Sequence, residues 1–289
     1  MQPKIFRDYD QAELDRQYDQ RAWVPNAEEI IRRYATNSDA VRARLGEPDT
    51  IAYGPSPVEG LDIYRTDRPR APLQVFLHGG AWRLLTRRES AFAAEAFVRA
   101  GAHFVAVDFA ALPQVSLSTL VDQVRRAIAW LHQNAERIGA DPERLYVTGH
   151  SSGAHLAANV MTTDWPAAFG LPAGVIKAGL CVSGIYDLRP VRLGSRNDYT
   201  RLTVESEHAL SPQRHLGRLG CPLIVAAAER DTDEFRRQAR EFAAEVTRAG
   251  GSARIVEGAG LNHFDIIETL ADPQGFLGKL AFEQMGLCP

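Results

Sequence analysis

Short apolar runs rich in β-branched and aromatic residues recur along the chain at 50–54 (TIAYG), 61–65 (LDIYR), 73–77 (LQVFL) and 103–107 (HFVAV), and again at 144–148 (RLYVT), 177–182 (KAGLCV), 222–227 (PLIVAA) and 253–256 (ARIV). Each has the length and composition of a strand. From the third run onward the strands alternate with segments of helical period at 89–100, 116–138, 152–162, 233–249 and 273–286. That alternation predicts an eight-stranded, mostly parallel sheet with helices on both faces. Only a short stretch holding Pro55, Pro57 and Gly60 separates the first two runs, so they should pair as an antiparallel leading hairpin. Residues 9–46 read as charged amphipathic helices broken at Pro25, an extension that either pads the sheet edge or leans over whatever lies at the strand ends.

Composition narrows this picture. A chain of 289 residues with 45% hydrophobic and 24% charged positions has enough apolar surface for a sizeable core. No linker-like stretch divides it, so the expectation is one domain: a helical extension over 1–48 and the main α/β body over 49–289. Well-mixed charges and a net charge of −3 give no basic field for a phosphate backbone, which argues against nucleic acid as a partner. The first twenty residues alternate charge and polarity, unlike a secretory signal or a spanning helix. No membrane partner and a cytoplasmic location are therefore expected. Cys181, Cys221 and Cys288 are widely spaced and odd in number, which suggests neither a disulfide framework nor a zinc site.

The chemistry concentrates at two glycine-flanked motifs. Gly149, His150, Ser151, Ser152 and Gly153 lie between the strand RLYVT and the helix-forming AHLAANVM, the context that a nucleophile elbow needs. There a strand-to-helix turn pushes a serine out at the C-terminal end of the sheet. The second motif, His78-Gly79-Gly80-Ala81-Trp82, follows LQVFL directly. Small residues there let backbone N–H groups approach a tetrahedral oxyanion, and Gly80, Ala81 and Ser152 are the expected donors. His78 is expected to brace this loop, Trp82 to be a pocket wall or packing residue.

A serine placed this way requires an acid after a late strand and a histidine after the last one. Glu229, Asp231, Asp233 and Glu234 all follow PLIVAAA; Asp231 is preferred, because Asp233 and Glu234 fall where a helix opens and serve there as N-terminal charges. His263 follows the last strand, and the five histidines outside the motifs have no partner pattern. In this reading His263 moves the proton of Ser151, Asp231 fixes the imidazole tautomer, and the oxyanion donors make a metal or cofactor unnecessary.

HGGAW, GHSSGAHLA, SGIYDLRP (183–190), ALSP (209–212) and NHFD (262–265) together resemble the kynurenine formamidase-like branch of the α/β hydrolases, a branch related to the hormone-sensitive-lipase-like esterases. The similarity runs from about residue 10 to about residue 270. It implies the α/β-hydrolase fold and hydrolysis of N-formyl-kynurenine, other aryl formamides, or short-chain and activated esters, with Ser151, Asp231 and His263 at the triad positions. Ala81 stands where the family often carries an aromatic residue, and FAALP (109–113) where a bulkier segment is usual; both are expected to reshape the acyl pocket. The leading expectation is a serine hydrolase of small or aryl carboxylic esters, with an aryl formamidase as the alternative. A ligand-binding protein without catalysis is the reading from another class, and the intact Ser, Asp and His argue against it. The partner expected is a small ester or amide, with a homodimer left open.

Overall fold

A computed structural model describes residues 3–288. The chain opens with α1 (Gln11–Tyr18) and α2 (Ala27–Leu45), then β1 (Asp49–Ala52), β2 (Gly60–Tyr64) and β3 (Ala71–Leu77). A 3-10 segment, Arg87–Ala93, leads into α3 (Ala94–Arg99), β4 (His103–Val107), α4 (Leu117–Gln133), β5 (Ala140–His150), α5 (Ser152–Met161), α6 (Trp165–Phe169) and β6 (Ala178–Val182). Three short helices, α7 (Arg189–Leu193), α8 (Asn197–Thr200) and α9 (Val204–Leu210), precede β7 (Leu223–Ala228). The chain closes with α10 (Asp233–Arg248), β8 (Ala253–Gly258), α11 (Asp265–Glu268) and α12 (Phe276–Met285).

The strands form one eight-stranded sheet in the order β1-β2-β4-β3-β5-β6-β7-β8. β1 and β2 form the expected antiparallel hairpin, β2 is also antiparallel to β4, and every later pairing is parallel. Side chains of successive strand residues leave on opposite faces. In β3, Leu73, Val75 and Leu77 thus join one core with α1, α4, α5 and α10, while Phe76 joins the other with α2, α3 and α12. α4 shows why: Leu117, Leu120, Val121, Val124, Ile128 and Leu131 repeat at three- and four-residue spacing and are all buried, on a helix N-capped by Ser116.

The N-terminal segment does not pad an outer strand. α1 packs with α10 in one core and α2 with the Arg87–Ala93 segment in the other, so residues 11–45 straddle the sheet. Cys181 and Cys221 are buried thiols, with burial pushing Cys221 up to about 12, and Cys288 is exposed. No helix among the described residues is long and apolar enough to cross a membrane.

Candidate active site

Parallel pairing brings the two motifs together. Leu77 is in register with Gly149 and His150 with Val182, so the loops after β3, β5 and β6 leave the sheet side by side. Ser151 sits at the turn with φ 55° and ψ −120°, a conformation that costs on the order of 1–3 kcal/mol and needs its surroundings to hold it. Its N–H donates to the Val182 carbonyl at 2.8 Å. α5 then starts so close to β3 that a Cβ at Gly153 would lie 2.1 Å from the Leu77 carbonyl oxygen, which restricts this position to glycine.

Ser151, His263 and Asp231 form one chain of polar contacts. His263 Nε2 is 3.0 Å from Ser151 Oγ, and Nδ1 is 2.7 Å from Asp231 Oδ1. All three residues are buried, so bulk water does not compete for these contacts. Asp231 Oδ2 accepts from Ser183 Oγ at 2.6 Å and from the Ala228 N–H at 2.9 Å. Asp233 is exposed at the start of α10. The His263 loop is set by Asn262: its side-chain oxygen accepts from the N–H groups of Phe264 and Asp265, while Asp265 accepts the Asn262 N–H at 2.6 Å. His150 packs under this loop, with Nε2 2.8 Å from the His263 carbonyl oxygen. Burial, then the neighbouring His263, pushes His150 down to about 3, so it stays neutral and can donate.

The HGGAW loop folds back over the elbow. Gly80, Ala81 and Trp82 all have positive φ, at 102°, 55° and 60°. A Cβ on Gly80 would lie 2.1 Å from the Leu84 carbonyl oxygen. The Trp82 N–H donates to Ser152 Oγ at 3.1 Å, which ties the loop to α5. The N–H groups of Gly80, Ala81 and Ser152 have no acceptor among the described residues. His78 stacks on Phe109 with centroids 4.3 Å apart and contacts the Gly79 carbonyl at 2.9 Å.

Trp82 is almost fully buried, and its indole N–H donates to His155 Nδ1 at 3.2 Å. One expectation needs correction: FAALP does not line the cavity; Phe109 lies under His78, and the Leu112 N–H donates to the Trp82 carbonyl, so the segment supports the loop from behind. Ala81 does face the cavity. Sequence reasoning gave no role to Ser183, the first residue of the SGIYDLRP motif, or to His155, which joins Trp82 to the Leu210 carbonyl at 2.8 Å.

A cavity of about 510 Å³ opens onto Ser151 and His263. Tyr18, Gln20, Ile31 and Tyr34 of the N-terminal segment line it together with Gly80, Ala81, Leu84 and Leu85. Gln20 bonds Thr232 at 3.1 Å, the Glu234 N–H donates to Gln17, and Tyr34 donates to the Phe264 carbonyl at 2.5 Å. These bonds reach the chain just after Asp231 and just after His263. A larger hollow of about 910 Å³ between α2, α3 and α12 contains none of the motif residues. Among the described residues no group of three His, Cys, Asp or Glu side chains is placed to hold a metal.

Comparison with known proteins agrees with this architecture. Residues 61–169 match the BD-FAE family model. The chain is 36% identical to the kynurenine formamidase of Danio rerio, over 95% of this chain and 96% of that protein. It is 34% identical to that of Salmo salar, over 97% and 98%. Esterase LipQ of Mycobacterium tuberculosis is 28% identical over 85% of this chain and 65% of its own length. A solved protein of Silicibacter sp. superposes with a TM-score of 0.80 at 24% identity, over 92% of this chain and 98% of that one. The carboxylesterase EstE1 from a metagenomic library gives 0.69 at 21%, over 91% and 98%. The two superpositions bear on the fold.

Proposed function

The chain belongs to the kynurenine formamidase family of α/β hydrolases, and on that premise we propose that it is a serine hydrolase cleaving aryl formamides through an acyl-enzyme on Ser151. The observation that carries the mechanism is the continuous contact chain from Asp231 through His263 to Ser151, at 2.7 and 3.0 Å. His263 takes the Ser151 proton as Oγ attacks the formyl carbon, and Asp231 holds the imidazole in the tautomer whose Nε2 is free to accept. The resulting oxyanion is met by the N–H groups of Gly80, Ala81 and Ser152, which have no acceptor among the described residues. His263 then returns the proton to the departing aryl amine. Water, deprotonated by the same imidazole, attacks the formyl-enzyme and releases formate.

The substrate rests on kinship: both kynurenine formamidase relatives align over nearly the whole chain, extension included. A carboxylic ester is the second reading, favoured by the small Ala81 in the cavity wall and by the LipQ similarity. Matched kinetics decide between them. With N-formylkynurenine and phenyl acetate as substrates, the formamide should be favoured by more than about a hundredfold in kcat/KM, roughly 2.7 kcal/mol of transition-state preference. A reversed ratio makes the protein an esterase, and full activity in Ser151→Ala sinks both readings.

A further inference from the structure

The cavity that holds Ser151 and His263 meets a second one of about 600 Å³, and the two share Tyr18, Asp19, Gly80, Ala81, Leu84 and Arg196. Several charged side chains on their walls are already satisfied. Arg16 and Arg21 pair with Glu13 and Glu28, Asp15 accepts from Gln11 and the Ser195 N–H, and Glu89 accepts from Thr86. Arg32, Arg83 and Arg196 have no carboxylate partner among the described residues, and Asp15, Asp19 and Glu89 have no cationic one.

Arg196 is the best prepared of the three. One guanidinium nitrogen donates to the Tyr18 carbonyl, and the group lies 5.3 Å from the centre of the Tyr18 ring. Its Nη1 is buried with no acceptor. By contrast, Arg32 is exposed, and Arg83 lies over the Tyr199 ring in the second cavity. A guanidinium held in this way and lining both cavities matches a carboxylate in geometry as well as charge. Leu84, Leu85 and Ile31 beside it suit an apolar frame carrying that carboxylate.

We propose that Arg196 is a substrate-binding residue that receives a carboxylate on the leaving-group side of the substrate, at the junction of the two cavities. The assignment rests on Ser151 as the nucleophile and makes a substrate whose leaving group bears a carboxylate the preferred class.

The test compares N-formylkynurenine with its carboxamide, in which the carboxylate alone is neutralised, for wild type, Arg196→Gln and Arg196→Lys. Wild type should favour the carboxylate by about tenfold or more in kcat/KM; Arg196→Gln should bring that ratio close to one, mainly through KM, and Arg196→Lys should restore part of it. A ratio that survives Arg196→Gln overturns the assignment, as does a loss that falls equally on both substrates, the mark of a purely structural tie to Tyr18. If wild type cleaves 4-nitrophenyl acetate but neither formamide, the formamide reading has failed on its own. Arg196 is then judged by inhibition of ester hydrolysis with kynurenine and its carboxamide, where the same ratio is expected and its absence refutes the carboxylate site.

Discussion

Asp231 shows what one carboxylate needs in order to orient an imidazole. Oδ1 faces His263, and Oδ2 is held by Ser183 and the Ala228 N–H, so the carboxylate has little freedom to rotate away. Asp231→Asn should lower kcat by about 10⁴-fold, because the amide favours the wrong tautomer; Asp233→Asn, on the exposed side of the helix start, should change it less than about threefold. Steady-state kinetics on the two variants separate the candidates, and equal losses would reverse the choice. Ser183→Ala should cost about tenfold in kcat, the scale of one hydrogen bond to a charged group, with circular dichroism confirming an unchanged fold. Of these residues, Asp231 was legible as one of two acids, with Glu229, that lie between β7 and the start of α10. Ser183 was not, since a serine after a strand is commonplace and its role depends on β6 and β7 being neighbours. Trp82 was left open between wall and packing residue for a related reason: its direction follows from three successive positive-φ residues, two of them not glycine.

At the scale of elements, the elbow is a close-packing device. β5, Ser151 and α5 hold their turn only because α5 nearly touches the end of β3. Gly153→Ala should therefore destabilise the protein by about 2–4 kcal/mol through forced displacement of this contact, read as a lower urea midpoint. An unchanged midpoint would mean that the helix start yields easily. All eight strands and the long helices were legible from period and length. The short helices α6, α7, α8 and α9 were not, because four to seven residues span too few turns to show a 3.6-residue pattern. The segment 89–100 divided into a 3-10 stretch and a short α-helix. For the extension, sequence left two roles open; what it could not show is that polar side chains, Gln17 and Gln20, reach Glu234 and Thr232.

For the molecule as a whole, two neutral histidines set the acid limit of stability. Burial, as the first cause in each case, pushes His150 down to about 3 and His155 down to about 4, both below the ordinary value of 6.5. Above pH 6.5 neither state of the protein binds these protons, and the stability is fully present. As pH falls below 6.5 the unfolded chain takes them up first, so stability should drop by up to about 1.4 kcal/mol per pH unit for each histidine, down to about pH 4 for His155 and about pH 3 for His150. Denaturation curves at pH 7 and pH 5 check the slope, and His155→Gln should make it shallower; a slope unaltered by that change would remove His155 from the account. The same two histidines hold the site together, one under the His263 loop and one under Trp82, so acid should loosen site and fold in the same range. The measurement that bears most directly on the central claim is the intact mass after treatment with diethyl 4-nitrophenyl phosphate, followed by peptide mapping. The account predicts one diethylphosphoryl group per chain, on Ser151, and none in Ser151→Ala; modification of Ser152 instead, or none in the wild type, would contradict it.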